Sequence, residues 1–314
     1  MKTVYVLGNR GQLGEAVERA CRDAGMHVVG GDIRGDPPVD VTFEHSVRTF
    51  LRELEPGDWV VNCAAYTAVD AAEDDEPRAM EVNALAPELI ARITQERGAA
   101  LVHISTDYVY NGQKTAPYTE DDAPDPLNAY GRSKLAGDRG VIRACARHII
   151  LRSAWLYGAQ DTSEPGGKPG GDFVRTMIRL FAEREEVYVV SDQYGSPTWS
   201  RDLGRAVARV LAHPSPAWGI YHCVNEGYAS RYEFACAVYA CARSSGLQQR
   251  EVRLIPVPSS AFPTRAIRPL NSRLHTGKFR VQFGFALPHW RDALEAYFRE
   301  RYGAVSPAEV SRCA

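Results

Sequence analysis

The sequence lacks the cysteine patterns that hold metals or cross-link small secreted folds. Its seven cysteines are scattered from Cys21 to Cys313 and include no C-x-x-C pair. An odd number of cysteines at irregular spacing is typical neither of a zinc site nor of a disulfide framework. We therefore expect a reducing, cytoplasmic setting, and we predict no metal site.

Long apolar runs and an excess of one charge are also missing. No stretch of about 18 consecutive apolar residues occurs, and the opening segment MKTVYVLG is too short for a signal-peptide core. Lys and Arg total 37 against 39 Asp and Glu, which gives a formal charge of −2. These absences predict no membrane span and give no reason to expect a nucleic-acid or anionic-membrane partner.

What the sequence does contain is a regular alternation of short β-rich runs and helical periods in its first half. Helical segments with apolar residues on one face separate the runs TVYVLG, HVVGGD, DWVVNCAA, ALVHIST and RHIILRSAW. Strand and helix in this rhythm are typical of a parallel sheet covered on both faces. The predicted fold class is α/β, with a Rossmann-type doubly wound parallel sheet.

After Trp155 the pattern becomes less regular. Residues 158–172 are rich in Gly and Pro, and they predict an irregular excursion. We expect residues 1–155 to form the sheet domain, to which some later segments return, and residues 156–314 to form a smaller α+β domain. Within the second part we predict helices near 173–184, 200–212, 230–243 and 289–302, a strand at 187–192, and a loop-rich stretch from Pro256 to Arg273.

A glycine-rich turn directly follows the first strand. Gly8, Gly11 and Gly14 have the spacing G-x-x-G-x-x-G and lead into the first helix, whose free N–H groups favour a pyrophosphate. Asp32 ends the second strand about 20 residues later, where a carboxylate can bind the adenosine ribose. Arg34 instead suits a 2′-phosphate. The sequence predicts a bound dinucleotide and leaves open whether it is NADH or NADPH.

A second group of residues suggests proton chemistry. Thr106 ends the strand ALVHIST, and Tyr130 and Lys134 follow at positions i and i+4, on one face of a predicted helix. An ammonium, together with the positive charge of an oxidised nicotinamide, is expected to lower the pKa of the phenol. Lys134 can also bind the nicotinamide ribose, and Thr106 is expected to donate a hydrogen bond to a substrate carbonyl oxygen.

With these residues in place, the chain resembles the extended short-chain dehydrogenases/reductases and, among them, the dTDP-4-dehydrorhamnose reductase family. The resemblance spans nearly the whole sequence in the same order. The blocks that carry it are GNRGQLG (8–14), VVNCAAYTAVDAAE (60–73), VNALAP (82–87), HISTDYVYNG (103–112), PLNAYGRSKLAGD (126–138), LRSAWLYG (151–158), SDQYGSPT (191–198) and IRPLNSRL (267–274).

The resemblance implies that NADPH or NADH reduces the 4-keto group of dTDP-4-dehydro-6-deoxy-L-mannose (dTDP-6-deoxy-L-lyxo-4-hexulose) to give dTDP-L-rhamnose. A homodimer is a further expectation. The implied catalytic residues are Thr106, Tyr130 and Lys134. The implied cofactor positions are Gly8, Arg10, Gly11, Gln12, Leu13, Gly14, Asp32, Ile33, Arg34, Ala64, Ala65, Tyr66, Asn83, Tyr130 and Lys134. The implied substrate positions are Thr106, Asp107, Tyr108, Trp155, Asn271 and Arg273.

Several positions have a second interpretation. Trp155 is equally typical of a core aromatic, Arg273 of a surface charge and Asn83 of a residue that organises backbone. His103 is interpreted as a packed histidine rather than a base. Ser105 either assists Thr106 or bonds backbone.

The function also has alternatives. One is reduction of a related dTDP-4-keto-deoxysugar of the dihydrostreptose or 6-deoxytalose type. Another is a non-catalytic NAD(P)-binding regulatory subunit, because the regulatory subunit of methionine adenosyltransferase resembles the same family. Residues 159–172 also form a longer loop than is usual there, and Ala154 stands where a hydroxyl is frequent.

Overall fold

The computed structural model describes residues 2–158 and 172–303 of the chain. The excursion predicted for residues 158–172 therefore lies almost wholly outside the described residues. Within the described ranges, no helix combines the length and the apolar character needed to cross a membrane.

Strands make up one large sheet and three small ones. The described residues contain β1 (Thr3–Leu7), β2 (His27–Gly31), β3 (Trp59–Asn62), β4 (Ala100–Thr106), β5 (His148–Ser153), β6 (Leu156–Tyr157), β7 (Glu186–Val190), β8 (Tyr194–Gly195), β9 (Thr198–Trp199), β10 (Gly219–His222), β11 (Ala229–Ser230) and β12 (Arg253–Val257). Six strands form an all-parallel sheet in the order β10-β5-β4-β3-β1-β2. In the small sheets β12 pairs with β7 and β6 with β9, both in parallel, whereas β11 and β8 are antiparallel.

Helices connect most of these strands. They are α1 (Gln12–Asp23), α2 (Glu44–Phe50), α3 (Ala71–Asp74), α4 (Glu76–Met80), α5 (Ala86–Glu96), α6 (Ala129–Ala144), α7 (Phe173–Glu183), α8 (Ser200–Ala212), α9 (Arg231–Ser244), α10 (Gly277–Phe283) and α11 (Trp290–Tyr302). A π-turn at Glu81–Leu85 separates α4 from α5, and short 3-10 turns occur at Asp107–Val109 and Ser259–Ala261.

The central sheet is buried on both faces. Along β1, Val4 and Val6 face a cluster that includes residues of α1 and α8, whereas Tyr5 and Leu7 face a cluster built with α2, α5 and α6. Successive side chains of a strand point to opposite faces, so a strand buried on both sides needs the continuous apolar run seen in the sequence. The predicted doubly wound parallel sheet is confirmed.

The helical segment between Pro77 and Gln95 is interrupted rather than continuous. Pro87 has no N–H to donate to the carbonyl of Asn83, four residues earlier. At this point the chain adopts the π-turn Glu81–Leu85, in which the Ala86 N–H donates to the carbonyl of Glu81, five residues earlier. The interruption turns the Asn83 carbonyl towards α6, where a Cβ on Gly137 would lie 2.0 Å from the oxygen.

The second half of the chain builds its own apolar cluster and also returns to the sheet. Helices α7, α9 and α11 bury residues such as Phe181, Phe234 and Phe298 together with β7. Strand β10 pairs with β5, and α8 packs on α1. Strands β10 and β12 and helix α10 are elements that the sequence did not predict. The division into residues 1–155 and 156–314 stays a prediction.

Candidate active site

The glycine turn brings three backbone segments into close contact. Gly8 has φ +77°, and a Cβ there would lie 2.7 Å from the backbone nitrogen of Ala64. A Cβ on Gly14 would lie 2.0 Å from the Gly8 carbonyl oxygen, and Gly11 is the N-cap of α1. Gln12 and Leu13 open the helix. The N-terminus of α1 therefore lies at the carboxyl edge of the sheet, beside the backbone of glycines, which have no side chains. A dinucleotide pyrophosphate requires such a close approach to the backbone.

Asp32 lies beside this turn and is already paired. Its carboxylate accepts hydrogen bonds from Arg10 N at 3.2 Å and from Arg34 N at 2.9 Å, and it forms an ion pair with the Arg34 guanidinium. Each of the two arginine side chains also donates to the other's backbone carbonyl. Ile33 is 58% exposed at the edge of this cluster. Two guanidinium groups thus accompany the single buried carboxylate where the adenosine ribose is expected.

The small residues after β3 are anchored by amide side chains. Ala64 N–H donates to Asn62 Oδ1 at 3.1 Å. Asn83 accepts from Tyr66 N at 2.8 Å, donates to Tyr66 O at 3.0 Å and donates to Ser133 Oγ at 3.0 Å. Asn83 is fully buried, so its contacts are those of a residue that organises backbone. Its predicted contact with the cofactor, like those of Ala64, Ala65 and Tyr66, stays a prediction.

Thr106, Asp107 and Tyr130 meet at the carboxyl end of β4. Thr106 Oγ1 donates to Asp107 Oδ1 at 3.0 Å and accepts from Tyr108 N at 3.2 Å, and it is a hydrogen-bond partner of the Tyr130 phenol. A hydroxyl has one hydrogen to donate. In this arrangement Thr106 donates that hydrogen to Asp107. The acceptor expected from the sequence was instead a substrate carbonyl oxygen.

The pKa of Tyr130 is shifted upwards, opposite to the expected direction. Burial is the largest cause, and the negative charge of Asp107 adds to it. The ammonium of Lys134 donates to the carbonyl of Ile104 at 2.7 Å. Without cofactor, therefore, the phenol of Tyr130 stays protonated, which is the form that a proton donor needs.

Trp155 lies where the sheet meets the second apolar cluster. Its φ of +45° is unusual for a residue other than glycine. Arg231 stacks on its indole with the guanidinium carbon 3.6 Å from the ring centre. Arg231 also interacts with Tyr108 and Asp107, and burial lowers its pKa. Tyr108 in turn packs edge-on against Tyr130 with ring centres 5.9 Å apart. Trp155 is thus linked to Tyr130 through Arg231 and Tyr108.

The segment NSRL places its residues differently from the expectation. Asn271 donates to the carbonyls of Lys114 and Ala116, and Arg273 donates to Asn271 Oδ1 at 2.8 Å. Arg273 also donates to the carbonyl of Thr115, so both side chains hold the 114–116 loop. Ser272, between them, donates to the carbonyl of Tyr194 at 3.4 Å and lies close enough to Asp107 to lower the pKa of that carboxyl. Alternate residues of an extended segment point to opposite sides, which explains why the neighbour of the two predicted residues faces the site.

Three site residues were missed in the sequence: Arg231, Arg268 and Ser272. Arg268 forms an ion pair with Asp70 at 2.7 Å and also interacts with Tyr108. Arg268 and Ser272 lie in the block IRPLNSRL, which was already identified as characteristic. Arg231 had no such signal, because only the packing of α9 against Trp155 brings it to the site.

An open cavity of about 680 Å³ lies next to Arg268. Its lining combines amide side chains with apolar ones, among them Gln113, Gln193, Phe262, Ile267 and Leu270. Its size is within the range of small-molecule sites. Arg268 lines this cavity and also interacts with Tyr108, whose ring packs against Tyr130.

Comparison with known proteins identifies the family. The sequence profile described as RmlD substrate binding domain matches residues 1–302. The chain is 37% identical over 303 residues to the dTDP-4-dehydrorhamnose reductase of Escherichia coli, covering 95% of this chain and 98% of the relative. The chain belongs to the dTDP-4-dehydrorhamnose reductase family.

Two other relatives bear on the substrate and the cofactor. A probable dTDP-4,6-dihydroxy-2-methyloxan-3-one 4-ketoreductase of Streptomyces antibioticus is 39% identical over 303 residues and 96% of each chain. The crystal structure of dTDP-4-dehydrorhamnose reductase from Bacillus anthracis in complex with NADP is similar, with a TM-score of 0.84 and 35% identity over 96% of this chain and all of that one. The fold and the family resemblance expected from the sequence are confirmed.

Proposed function

We propose that this protein reduces the 4-keto group of dTDP-4-dehydro-6-deoxy-L-mannose with NADPH or NADH, giving dTDP-L-rhamnose. The observation that carries the proposal is the meeting of Thr106 and Tyr130 at the carboxyl end of β4, in the sheet that also carries the glycine turn. A hydroxyl pair beside a dinucleotide cradle suits carbonyl reduction. The family membership agrees with this reaction.

The cofactor cradle fits a pyrophosphate, because side chains at Gly8 and Gly14 would clash with backbone there. Bound NADPH or NADH supplies a hydride to the carbonyl carbon of the sugar. Negative charge then develops on the carbonyl oxygen, and Tyr130 donates its phenolic proton to that oxygen. Lys134, one helical turn away, contributes a positive charge and a donor for the nicotinamide ribose. Thr106 holds the phenol of Tyr130 in line.

We propose that the sugar nucleotide lies between Trp155 and the cavity beside Arg268. The indole of Trp155, fixed by Arg231, offers a wall for the deoxysugar ring. Arg231 and Arg268 interact with the same Tyr108, so two guanidinium groups are available for the diphosphate. The amide and apolar lining of the cavity, which includes Gln113 and Phe262, suits a nucleobase.

For the cofactor we propose a preference for NADPH. Asp32 is occupied by Arg10 and Arg34, which leaves the carboxylate less available to a ribose 2′-hydroxyl. The two guanidinium groups favour a 2′-phosphate instead. The homodimer, the absence of a nucleic-acid or membrane partner and the cytoplasmic setting remain predictions.

A second candidate is reduction of another dTDP-linked keto sugar, because the Streptomyces antibioticus relative is named for such a substrate and is similarly close. A test incubates the purified chain with the dTDP-4-keto-6-deoxy-L-hexose and either reduced cofactor, follows cofactor absorbance and assigns the product by NMR. Cofactor oxidation with formation of dTDP-L-rhamnose supports the first function, and a different C4 configuration supports the second. Cofactor binding without oxidation of this substrate would contradict the first function, and it is the result that the regulatory alternative also predicts.

A further inference from the structure

A cluster of buried polar side chains adjoins Lys134 and takes no part in the steps above. It comprises His103 on β4, Asp138 on α6 and Arg152 on β5, none more than 2% exposed. His103 Nε2 lies 3.4 Å from Lys134 Nζ and 4.0 Å from Asp138 Oδ1. One imidazole nitrogen therefore faces both an amine and a carboxylate.

The hydrogen bonds of Asn62 assign the tautomer of His103. Asn62 Oδ1 accepts from Ala64 N–H, which fixes the amide so that its Nδ2 faces His103 Nδ1 at 3.2 Å. An amide nitrogen only donates, so Nδ1 accepts. Burial, followed by the charge of Lys134, holds the pKa of His103 well below its usual value. The neutral ring thus carries its hydrogen on Nε2, the nitrogen that faces Lys134 and Asp138.

Asp138 is held with one oxygen left over. Arg152 Nε and Nη2 both donate to Asp138 Oδ2 at 3.2 Å. Asp138 Oδ1 makes no hydrogen bond among the described residues. Burial raises the pKa of Asp138, whereas the positive charge of Arg152 and the Ser105 hydroxyl favour the charged carboxylate. Asp138 follows Lys134 by four residues on α6 and therefore lies on the same helix face. Its unpaired oxygen is the one nearest His103.

This geometry accommodates Lys134 in both protonation states. A charged ammonium and an Nε2–H are both donors, so they do not bond each other, and a carboxylate beyond His103 is needed to offset the positive charge. A neutral amine can accept from Nε2–H while it still donates to the Ile104 carbonyl at 2.7 Å. The negative charge of Asp138 therefore decides which state prevails.

We propose that Asp138 is a positioning residue that acts across His103 to keep Lys134 protonated at neutral pH. The inference rests on the proposed function, in which Lys134 works as a cation. Burial lowers the pKa of Lys134 to about 8, and the Asp138 and Cys63 side chains oppose that shift. Burial also raises the pKa of the Cys63 thiol to about 12, so this group is uncharged near pH 7. Asp138 is then the negative group that remains, since the neighbouring Tyr130 is also neutral and Arg152 is positive.

The test is the pH dependence of kcat/KM for Asp138→Asn. Activity of the unaltered enzyme should fall above about pH 8 as Lys134 loses its proton. Removing the negative charge disfavours the ammonium, so this alkaline limb should move at least about one pH unit lower. A shift of that size lowers kcat/KM at pH 8 about fivefold and leaves it nearly unchanged at pH 6. Asp138→Glu should restore the original limb.

Binding of NADP⁺ without substrate provides a second readout. The oxidised nicotinamide is positive, so the affinity of the enzyme for NADP⁺ should rise with pH as Lys134 becomes neutral. In Asp138→Asn the pH at the midpoint of that rise should be lower by the same amount as the alkaline limb of kcat/KM. This measurement separates the two proposals. If the unaltered chain binds NADP⁺ but never turns over the keto sugar, the proposed function fails and the binding midpoint still tests the role of Asp138.

Two further variants guard against a purely structural effect. Asp138→Asn leaves Arg152 buried without its partner. The double variant Asp138→Asn/Arg152→Gln replaces the whole ion pair by neutral groups of similar shape. It should show the same shift of the alkaline limb of kcat/KM. Asp202→Asn is a matched control, because Asp202 is a buried carboxylate on another helix, α8, where it accepts a hydrogen bond from Asn225. It should lower stability without moving the limb. An unmoved limb and an unmoved NADP⁺ midpoint in the folded Asp138 variants would overturn the inference.

Discussion

The guanidinium carbon of Arg231 lies 3.6 Å from the centre of the Trp155 ring, so the first residue of α9 covers an indole at the end of β5. The neighbouring Gly195 makes this packing possible, since a Cβ there would lie 2.3 Å from Trp155 Cε2. Trp155 keeps its positive φ because these contacts hold it on both sides. Arg231, a residue of the second half of the chain, thereby positions the Trp155 indole that is expected to contact the sugar ring.

Replacing Arg231 should affect substrate binding more than cofactor binding. In Arg231→Ala the stacking on Trp155 and the positive charge beside Tyr108 are both lost, and we expect the KM for the sugar nucleotide to rise about tenfold. The KM for NADPH should stay unchanged. Arg209→Ala is a matched control. Arg209 also stacks on an aromatic ring, that of Phe285 at 3.6 Å, but it is exposed and lies on a different helix, α8. Equal effects of the two variants on the sugar KM would contradict the role of Arg231.

Removing the phenolic hydroxyl of Tyr130 should separate chemistry from binding. Tyr130→Phe keeps the ring that packs against Tyr108 but has no proton to donate, so we expect kcat to fall by about 10³-fold. The dissociation constant for NADPH, measured by fluorescence, should change little. Tyr118→Phe provides a comparison, because it removes a phenol that bonds Asn111 instead. Near-normal turnover by Tyr130→Phe would refute Tyr130 as the proton donor.

The Arg34 guanidinium should discriminate between the two cofactors. Arg34→Ala removes a donor expected at the 2′-phosphate and frees Asp32 from its ion pair. The KM for NADPH should rise about tenfold or more, while the KM for NADH should not rise. Steady-state kinetics with both cofactors measure the ratio. Arg52→Ala, at an exposed arginine paired with Glu53, should leave both values unchanged. A parallel rise for NADPH and NADH would exclude selective recognition.

The buried His222 should make the fold sensitive to mild acid. Burial, followed by the nearby positive charge of Arg152, lowers its pKa from 6.5 to about 3. The unfolded chain therefore binds a proton below pH 6.5 that the folded chain refuses, so stability falls as the pH drops from about 6.5 towards 3. At pH 5 the loss from this histidine is about 2 kcal/mol.

Urea unfolding at pH 7 and pH 5 checks this expectation. His222→Gln, which cannot titrate, should lower stability at pH 7 but reduce the difference between the two pH values. His27→Gln, at an exposed histidine, should preserve the difference. An undiminished acid loss in His222→Gln would assign it to other groups, such as the buried His103.

The sequence by itself determined the main elements and the local pairings. Continuous apolar runs such as TVYVLG predict strands buried on both faces, and the spacing of Tyr130 and Lys134 places both on one helix face whatever surrounds them. Glycines at positions 8 and 14 were identified because no side chain fits a turn against a neighbouring backbone. These features depend on residues close together in the chain, and their geometry is therefore set by local sterics and periodicity.

Only the tertiary structure decided how distant segments combine. The approach of α9 to Trp155 brings Arg231 to the site, and the extended course of residues 271–273 turns Ser272 towards Asp107. The direction of the Tyr130 pKa shift also depended on the surrounding segments, because they bury the phenol and bring the negative charge of Asp107 close to it. Burial and long-range packing are properties of the whole chain, so no local pattern records them.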